Sequence, residues 1–372
     1  MIAETKKDIL TLIGFLQERD YSIRKLSRIL SSNGIFRVQS WSSLKEKVSE
    51  LLDHNPILNK IKKVLEAEYN RSLNFGKKAV VFFDISTLSD QELNEFEIKL
   101  KEEIQKNSNT EYARNFPNLL PRQILETQST QLFCISDEFN DEGNTSKFWV
   151  CGRKSFRKRK EFILGEAPED VQEYFLEFDV GLYDEVIAIR QDFKQLISYF
   201  TIDKEVKLLT LFSDATAITS QSDMDYLSDS LFKYLINIYP NLKGAKKKNI
   251  GNAIRSLYNE EGGRVTSFSH YTDSGSVKHE KLDRRNNKGD LRLEPYHMSG
   301  MEAIQSQTEL HAIEKKWPSI LPIELFEPTV SLGYKSFLEG TTRVSACYIV
   351  EIDDCACQED LDMLTKKIFD LA

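Results

Sequence analysis

The run from Lys78 to Ile85, KAVVFFDI, constrains the fold most, because eight residues rich in β-branched and aromatic side chains between polar segments read as a strand. Ser89 follows, with Glu92 three residues on. This capping-box spacing opens a helix that carries Leu93, Phe96, Leu100 and Ile104. The same order returns near the C-terminus, where Ala346 to Ile352 (ACYIVEI) precedes a helical pattern from Gln358 to Leu371 with Leu361, Leu364, Ile368 and Leu371 on one face. The two units stand 267 to 268 residues apart, either as a diverged pair flanking the middle of the chain or as a frequent α+β element.

Ahead of the first strand the pattern is helical. Ile9, Leu10, Leu12, Ile13, Phe15 and Leu16 make a broad apolar face, and a further helix is expected from Pro56 to Tyr69. Between them, Ser22 can cap a helix carrying Ile23, Leu26, Ile29 and Leu30, which Gly34 stops. Another helix from about Ser43 carries Leu44, Val48, Leu51 and Leu52, and the segment from Ile35 to Trp41 joins the two as an extended connection. Residues 21–53, with Asn33-Gly34-Ile35 at the stop and Arg24, Lys25, Arg28, Lys45 and Lys47 on the polar side, resemble the SAP-type helix, extended loop, helix module. That resemblance implies binding of double-stranded DNA.

Beyond the first strand-helix unit, strand signals dominate from Phe178 to Phe212, with Val186 to Ile189, Leu196 to Phe200 and Val206 to Phe212 as an expected antiparallel set. Helices are expected at Met224 to Ile238, ended by Pro240, and at Asn249 to Glu260, ended by Gly262-Gly263. The reading is an α+β chain: an N-terminal helical module and a mixed, mostly antiparallel sheet body with helices. Its expected divisions are 1–72, 73–165 and 166–372.

At 372 residues and 40% hydrophobic content the chain exceeds the size at which one core usually stops growing. It holds no apolar run near the length needed to span a bilayer, and residues 1–7 lack the apolar core of a secretory signal. Five cysteines, an odd number thinly spread, are unlike a disulfide framework. These features together predict a soluble, cytoplasmic protein with reduced thiols and no membrane association. Cys355-x-Cys357 lacks the second pair that a structural zinc site wants.

Charge is the main functional signal. Six of the eight residues from Arg153 to Lys160 are basic (Arg153, Lys154, Arg157, Lys158, Arg159 and Lys160), in a chain of formal net charge -8. Crowded cations repel one another and gain nothing from burial, so a polyanionic partner explains such a block better than folding does. Phe148, Trp149, Phe156 and Phe162 interleave with it, as in surfaces that stack bases while neutralising phosphates. The bland alternative is a strand from Lys147 to Cys151 running into a solvated loop. A nuclear localisation patch is a third reading. Lys243, Lys246, Lys247 and Lys248 form a second cluster, and Lys278, Lys281, Arg284, Arg285, Lys288 and Arg292 a third. Together the three favour nucleic acid, DNA over RNA, provided the fold brings them to one face.

Two enzymatic constellations compete with plain binding. An even-residue loop centred on Ser274-Gly275 would set His270 across from His279 in a hairpin, able to hold a metal or pass a proton. His297 joins them if a third strand, Leu291 to Met298, returns with matching parity, while Glu280 points to the face opposite His279. A divalent-metal nuclease would instead use Asp192, Glu205 and Lys207, with Asp179 or Asp184 upstream. Asp223 and Asp225 read more simply as helix-start residues. No Walker loop, G-x-G-x-x-G, H-E-x-x-H or G-x-S-x-G is present. Apart from a divalent metal in either constellation, no cofactor is called for. The partner readings are nucleic acid first, then an acidic protein or a homo-oligomer.

Overall fold

The structure, a computed structural model, describes the chain except residues 1, 54, 141–143, 164–168, 170–172, 174–184, 217–219, 272–275, 284–287, 304–308, 322–324 and 340–341. The expected α+β class holds. Four helices come first: α1 (Ile2–Glu18), α2 (Ile23–Ser32), α3 (Trp41–Glu50) and α4 (Ile57–Phe75). Next are β1 (Lys78–Asp84), α5 (Asp90–Asn107), α6 (Glu111–Asn115), α7 (Arg122–Thr127) and the strands β2 (Phe133–Asn140), β3 (Thr145–Ile163), β4 (Glu185–Asp203) and β5 (Leu208–Asp214). The chain continues through α8 (Gln221–Ile238), β6 (Lys246–Lys247), α9 (Asn252–Asn259), β7 (Arg264–Tyr271), β8 (Val277–Lys281) and α10 (Pro295–Ala303). It ends with β9 (Glu309–Lys316), β10 (Thr329–Gly333), β11 (Lys335–Glu339), β12 (Thr342–Ala346), β13 (Val350–Asp353) and α11 (Gln358–Leu371).

Among the described residues one sheet runs in the order β2-β3-β4-β5-β1-β13-β10-β9-β7-β8, with β6 paired to β1 and β11-β12 as a separate hairpin. Its pairings are antiparallel, and they include β1 with β13, so the two strand-helix units lie side by side at its centre, although of the expected strand Ala346 to Ile352 only Val350 to Ile352 belongs to β13 and Ala346 ends β12. The sheet is continuous across the expected division at 165/166, because β3 and β4 pair along their whole length.

Alternation in β1 sorts its side chains into two cores, as a period of two requires. Val80 and Phe82 pack into a core with Ile13, Leu26, Leu44 and Leu65 of α1 to α4 and Leu361 and Leu364 of α11. Ala79, Val81 and Phe83 face Leu93, Phe96 and Leu100 of α5 and Leu231 and Leu235 of α8. The capping box forms as expected: Glu92 N–H donates to Ser89 Oγ, and Ser89 N–H donates to Glu92 Oε2.

A buried polar network helps dock the helical module to the sheet. Arg19, just past α1, donates to Asp214 Oδ2 at 3.0 Å, Ser72 Oγ at 2.9 Å and Ser72 O at 2.8 Å. Asp214 also accepts from the Ile197 amide and from Thr216 Oγ1. Burial would raise the Asp214 pKa, but Arg19 and Lys78 hold its carboxyl below the usual carboxylate range.

Candidate nucleic-acid interface

The basic block from Arg153 to Lys160 lies in β3, which the sequence reading ends near Cys151. Strand β3 instead continues to Ile163, pairing with β4 without a register break from Thr145↔Asp203 to Ile163↔Glu185. Neighbouring strands stop earlier: β2 leaves β3 at Cys151, and β5 leaves β4 at Tyr199. Past those points the hairpin runs on as a two-stranded ribbon with no third strand among the described residues. Pairing explains why so charged a segment is extended, since each strand satisfies the other's backbone groups while its side chains stay free to face solvent.

The base of the ribbon is anchored. Arg153 donates to the Leu125 and Glu126 carbonyls at the end of α7 and lies 4.3 Å from the Phe193 ring centroid. Lys154 reaches Asp223 Oδ1 at 2.5 Å, and Asp223 also accepts at 2.6 Å from Ser220, the residue that caps α8. From Arg157↔Gln191 outward, seven residue pairs form an arm of about 23 Å at strand rise. By sequence that arm carries Arg157, Lys158, Arg159, Lys160 and Arg190 against Glu161 and Glu185.

Where the arm leaves the body, a groove of about 1510 Å³ opens between the ribbon, the helical module and the segment from Asn115 to Leu125. Phe156, Arg157, Phe193 and Lys194 line it from the ribbon, Phe15 from α1, Lys45 from α3, and Lys62 and Tyr69 from α4. Most of its cations are held in place: Lys62 by Asp8 at 2.6 Å, Lys194 by Asp20 at 2.6 Å, and Arg122 by Glu126 and Asp192. Lys45 and Arg157 are exposed, and among the described residues neither side chain makes a hydrogen bond or ion pair. Two uncommitted cations thus face one groove from two elements far apart in sequence.

No protein-family model matches the chain, and no curated protein matches it significantly.

The segment that supplies Lys45 is helix, loop, helix in order, but α3 ends at Glu50, so Leu51 and Leu52, expected on its apolar ladder, lie past its end and Leu52 is exposed. Leu26, Leu30, Leu44 and Val48 are buried, and Arg24, Arg28 and Lys45 are exposed. Lys25 is committed to Asp354 and to the Phe326 ring, 3.4 Å away, and Lys47 donates to the Arg37 carbonyl.

Among the described residues the three cationic clusters do not share a face. Lys246 and Lys247 pair with Asp84 and Phe83, at the end of β1 that leads through Leu208 and Asp203 to Thr145, opposite the arm. Lys247 is bonded to Asp229, and Lys248 donates to the Phe369 carbonyl over the Phe369 ring. Lys278 and Lys281 are exposed on β8, the far edge strand, eight positions from β3 in the sheet order, or about 38 Å at usual strand spacing. Arg284 and Arg285 lie outside the described residues, and of Lys158, Arg159 and Lys160 the backbone register is described.

The nuclease constellation is not brought together. Asp192 is 5% exposed at the ribbon base and bonded to Arg122. Glu205 is exposed in the turn after β4, and Lys207 in the same turn donates to Leu88 O and Asp90 Oδ1. About 35 Å of strand separates that turn from Asp192. Asp179 and Asp184 fall outside the described residues.

The histidines assemble differently from the expected hairpin pair. Five residues, not an even number, separate β7 from β8, so His270 pairs with Lys278 and His279 with Ser269. His279 is exposed and hydrogen-bonded to Ser269 Oγ. His270 and Glu280 share the opposite face, and His297 meets them from α10, because Leu291 to Met298 forms a 3-10 turn and a helix start rather than a third strand. Pro295 stands at the first position of that helix, where its missing N–H leaves no bond unmade. His297 Nδ1 lies 2.9 Å from Glu280 Oε2, and its Nε2 lies 2.9 Å from the Tyr258 hydroxyl. His270, 2% exposed, has neither ring nitrogen bonded, and burial lowers its pKa. Among the described residues no three His, Cys, Asp or Glu side chains are arranged to hold a metal ion.

Sequence reasoning named Arg157 and Lys45 separately but had no signal for the groove that joins them. Glu280 joins His270 only because the loop has five residues rather than an even number, and Tyr258, next to last in α9, gives no sequence signal at all.

Proposed function

We propose that this protein binds nucleic acid, DNA in preference to RNA, along the β3–β4 ribbon and the groove at its base. The observation that carries the reading is that Arg157 of the ribbon and Lys45 of the helix-loop-helix line one groove while neither is committed to a carboxylate. A cation without an internal partner keeps its full attraction for phosphate, and binding then gains from counterion release. Phe156 beside Arg157 supplies an aromatic surface of the kind on which bases stack. The other two clusters play no part in this site: Lys247 and Lys248 are internally engaged, and Lys278 and Lys281 sit at the opposite edge.

Fluorescence anisotropy of labelled DNA and RNA with Lys45→Glu and Arg157→Glu tests the proposal. Each substitution should weaken DNA binding, and the pair together more than either, whereas Lys278→Glu with Lys281→Glu should leave it unchanged. Equal loss from both pairs would reduce the site to unspecific charge, and undetectable binding by the unaltered protein would replace nucleic acid with an acidic protein partner.

A further inference from the structure

The arm is cationic, but it is not uniformly polar. Ile187 and Ile189 are 45% and 62% exposed on β4, two residues apart and therefore on the same face of the strand. By register they stand opposite Glu161 and Arg159, with Arg157↔Gln191 one step nearer the body on that face. An exposed isoleucine pair on an arm whose sequence is basic suits a partner that is both anionic and able to take up an apolar side chain. The cations around it disfavour a second copy of the same arm, since like charges would then face each other. Duplex DNA meets both requirements: a two-stranded ribbon fits its grooves, and apolar side chains can enter between base steps, unstacking them and bending the helix.

Resting on the nucleic-acid reading above, we infer that the ribbon's ligand is duplex DNA and that Ile187 and Ile189 form a wedge that bends it. Phosphate contacts by the arm's cations hold the duplex, and the isoleucines add deformation rather than most of the affinity. Threonine at both positions keeps the β-branched shape that suits a strand while giving each side chain a hydroxyl in place of an ethyl group.

The test uses the full chain and a duplex of roughly 30 base pairs carrying a donor and an acceptor dye at its ends, a length over which a 40–90° bend is energetically accessible. Binding is followed by anisotropy and bending by energy transfer. The unaltered protein should raise transfer. The Ile187→Thr/Ile189→Thr protein should bind with Kd within roughly a factor of three, because the phosphate contacts remain, yet lose most of that rise. Binding without increased transfer, or a double variant that still bends the duplex, overturns the wedge and leaves the binding reading standing. No binding to any duplex overturns the wedge and its duplex ligand, and no binding to single-stranded DNA or RNA either overturns the nucleic-acid reading as well.

Discussion

Arg19 is a charge almost fully removed from water at the joint between the helical module and the sheet, and Asp214 is its buried counterion. Removing one partner of such a pair leaves the other uncompensated, so Arg19→Met should lower unfolding stability in urea by about 3–5 kcal/mol. A loss below about 1 kcal/mol would mean that Asp214 is satisfied by its amide and hydroxyl donors alone. Lys78 pairs with Asp214 in the sheet and is wholly buried, its ammonium donating to the Leu73 carbonyl. Burial pushes its pKa down to about 7. The unfolded chain therefore holds more protons than the folded one between that value and the ordinary lysine pKa, and stability from this residue rises with pH across the window. Subtracting the Lys78→Met stability from that of the unaltered protein should give a difference that grows from about pH 7 to about pH 9. A flat difference would place the folded-state pKa near that of a free lysine.

At the level of elements, the edge formed by β7, β8 and α10 concentrates titratable groups around His270: Glu280 and Lys278 from β8 and His297 from α10. Burial is the largest influence and lowers the His270 pKa, as His297 and Lys278 also do, while Glu280 opposes them. With the folded pKa below the unfolded value of about 6.5, its stability contribution is complete above that pH and is lost as pH falls through the window beneath it. Denaturation from about pH 7 to about pH 5 should thus destabilise the unaltered protein more than His270→Phe, and parallel curves would contradict this assignment. Elements with strong local signals were legible in the sequence: the Ser89–Glu92 capping box, the apolar run of β1 and the helix ladders of α2, α3 and α11. Those decided by distant pairing were not. The charge of 153–160 reads locally as a loop, and only the register with β4 makes it strand. One residue of loop length moved His270 to the face opposite His279, and Pro295 ended an expected strand by starting a helix.

For the whole molecule, the sheet order decides which sequence features can act together. It separates the clusters at Lys246–Lys248 and Lys278–Lys281 from the ribbon, and it carries the ribbon to the helical module, where Lys45 and Arg157 line one groove. No helix among the described residues is long and apolar enough to cross a membrane. The candidate interface was therefore only half legible: its residue types stood out in the sequence, but their convergence depends on contacts between segments more than a hundred residues apart. The most direct test is the salt dependence of DNA affinity for the unaltered protein, for Arg157→Glu with Lys158, Arg159 and Lys160 changed to Gln, and for Lys278→Glu with Lys281→Glu. Each phosphate contact contributes about 0.9 to the slope of log affinity against log salt on duplex DNA. The ribbon variant should bind more weakly with a slope reduced by about two or more, while the β8 variant keeps the full slope. A ribbon variant with unchanged affinity and slope would contradict the account.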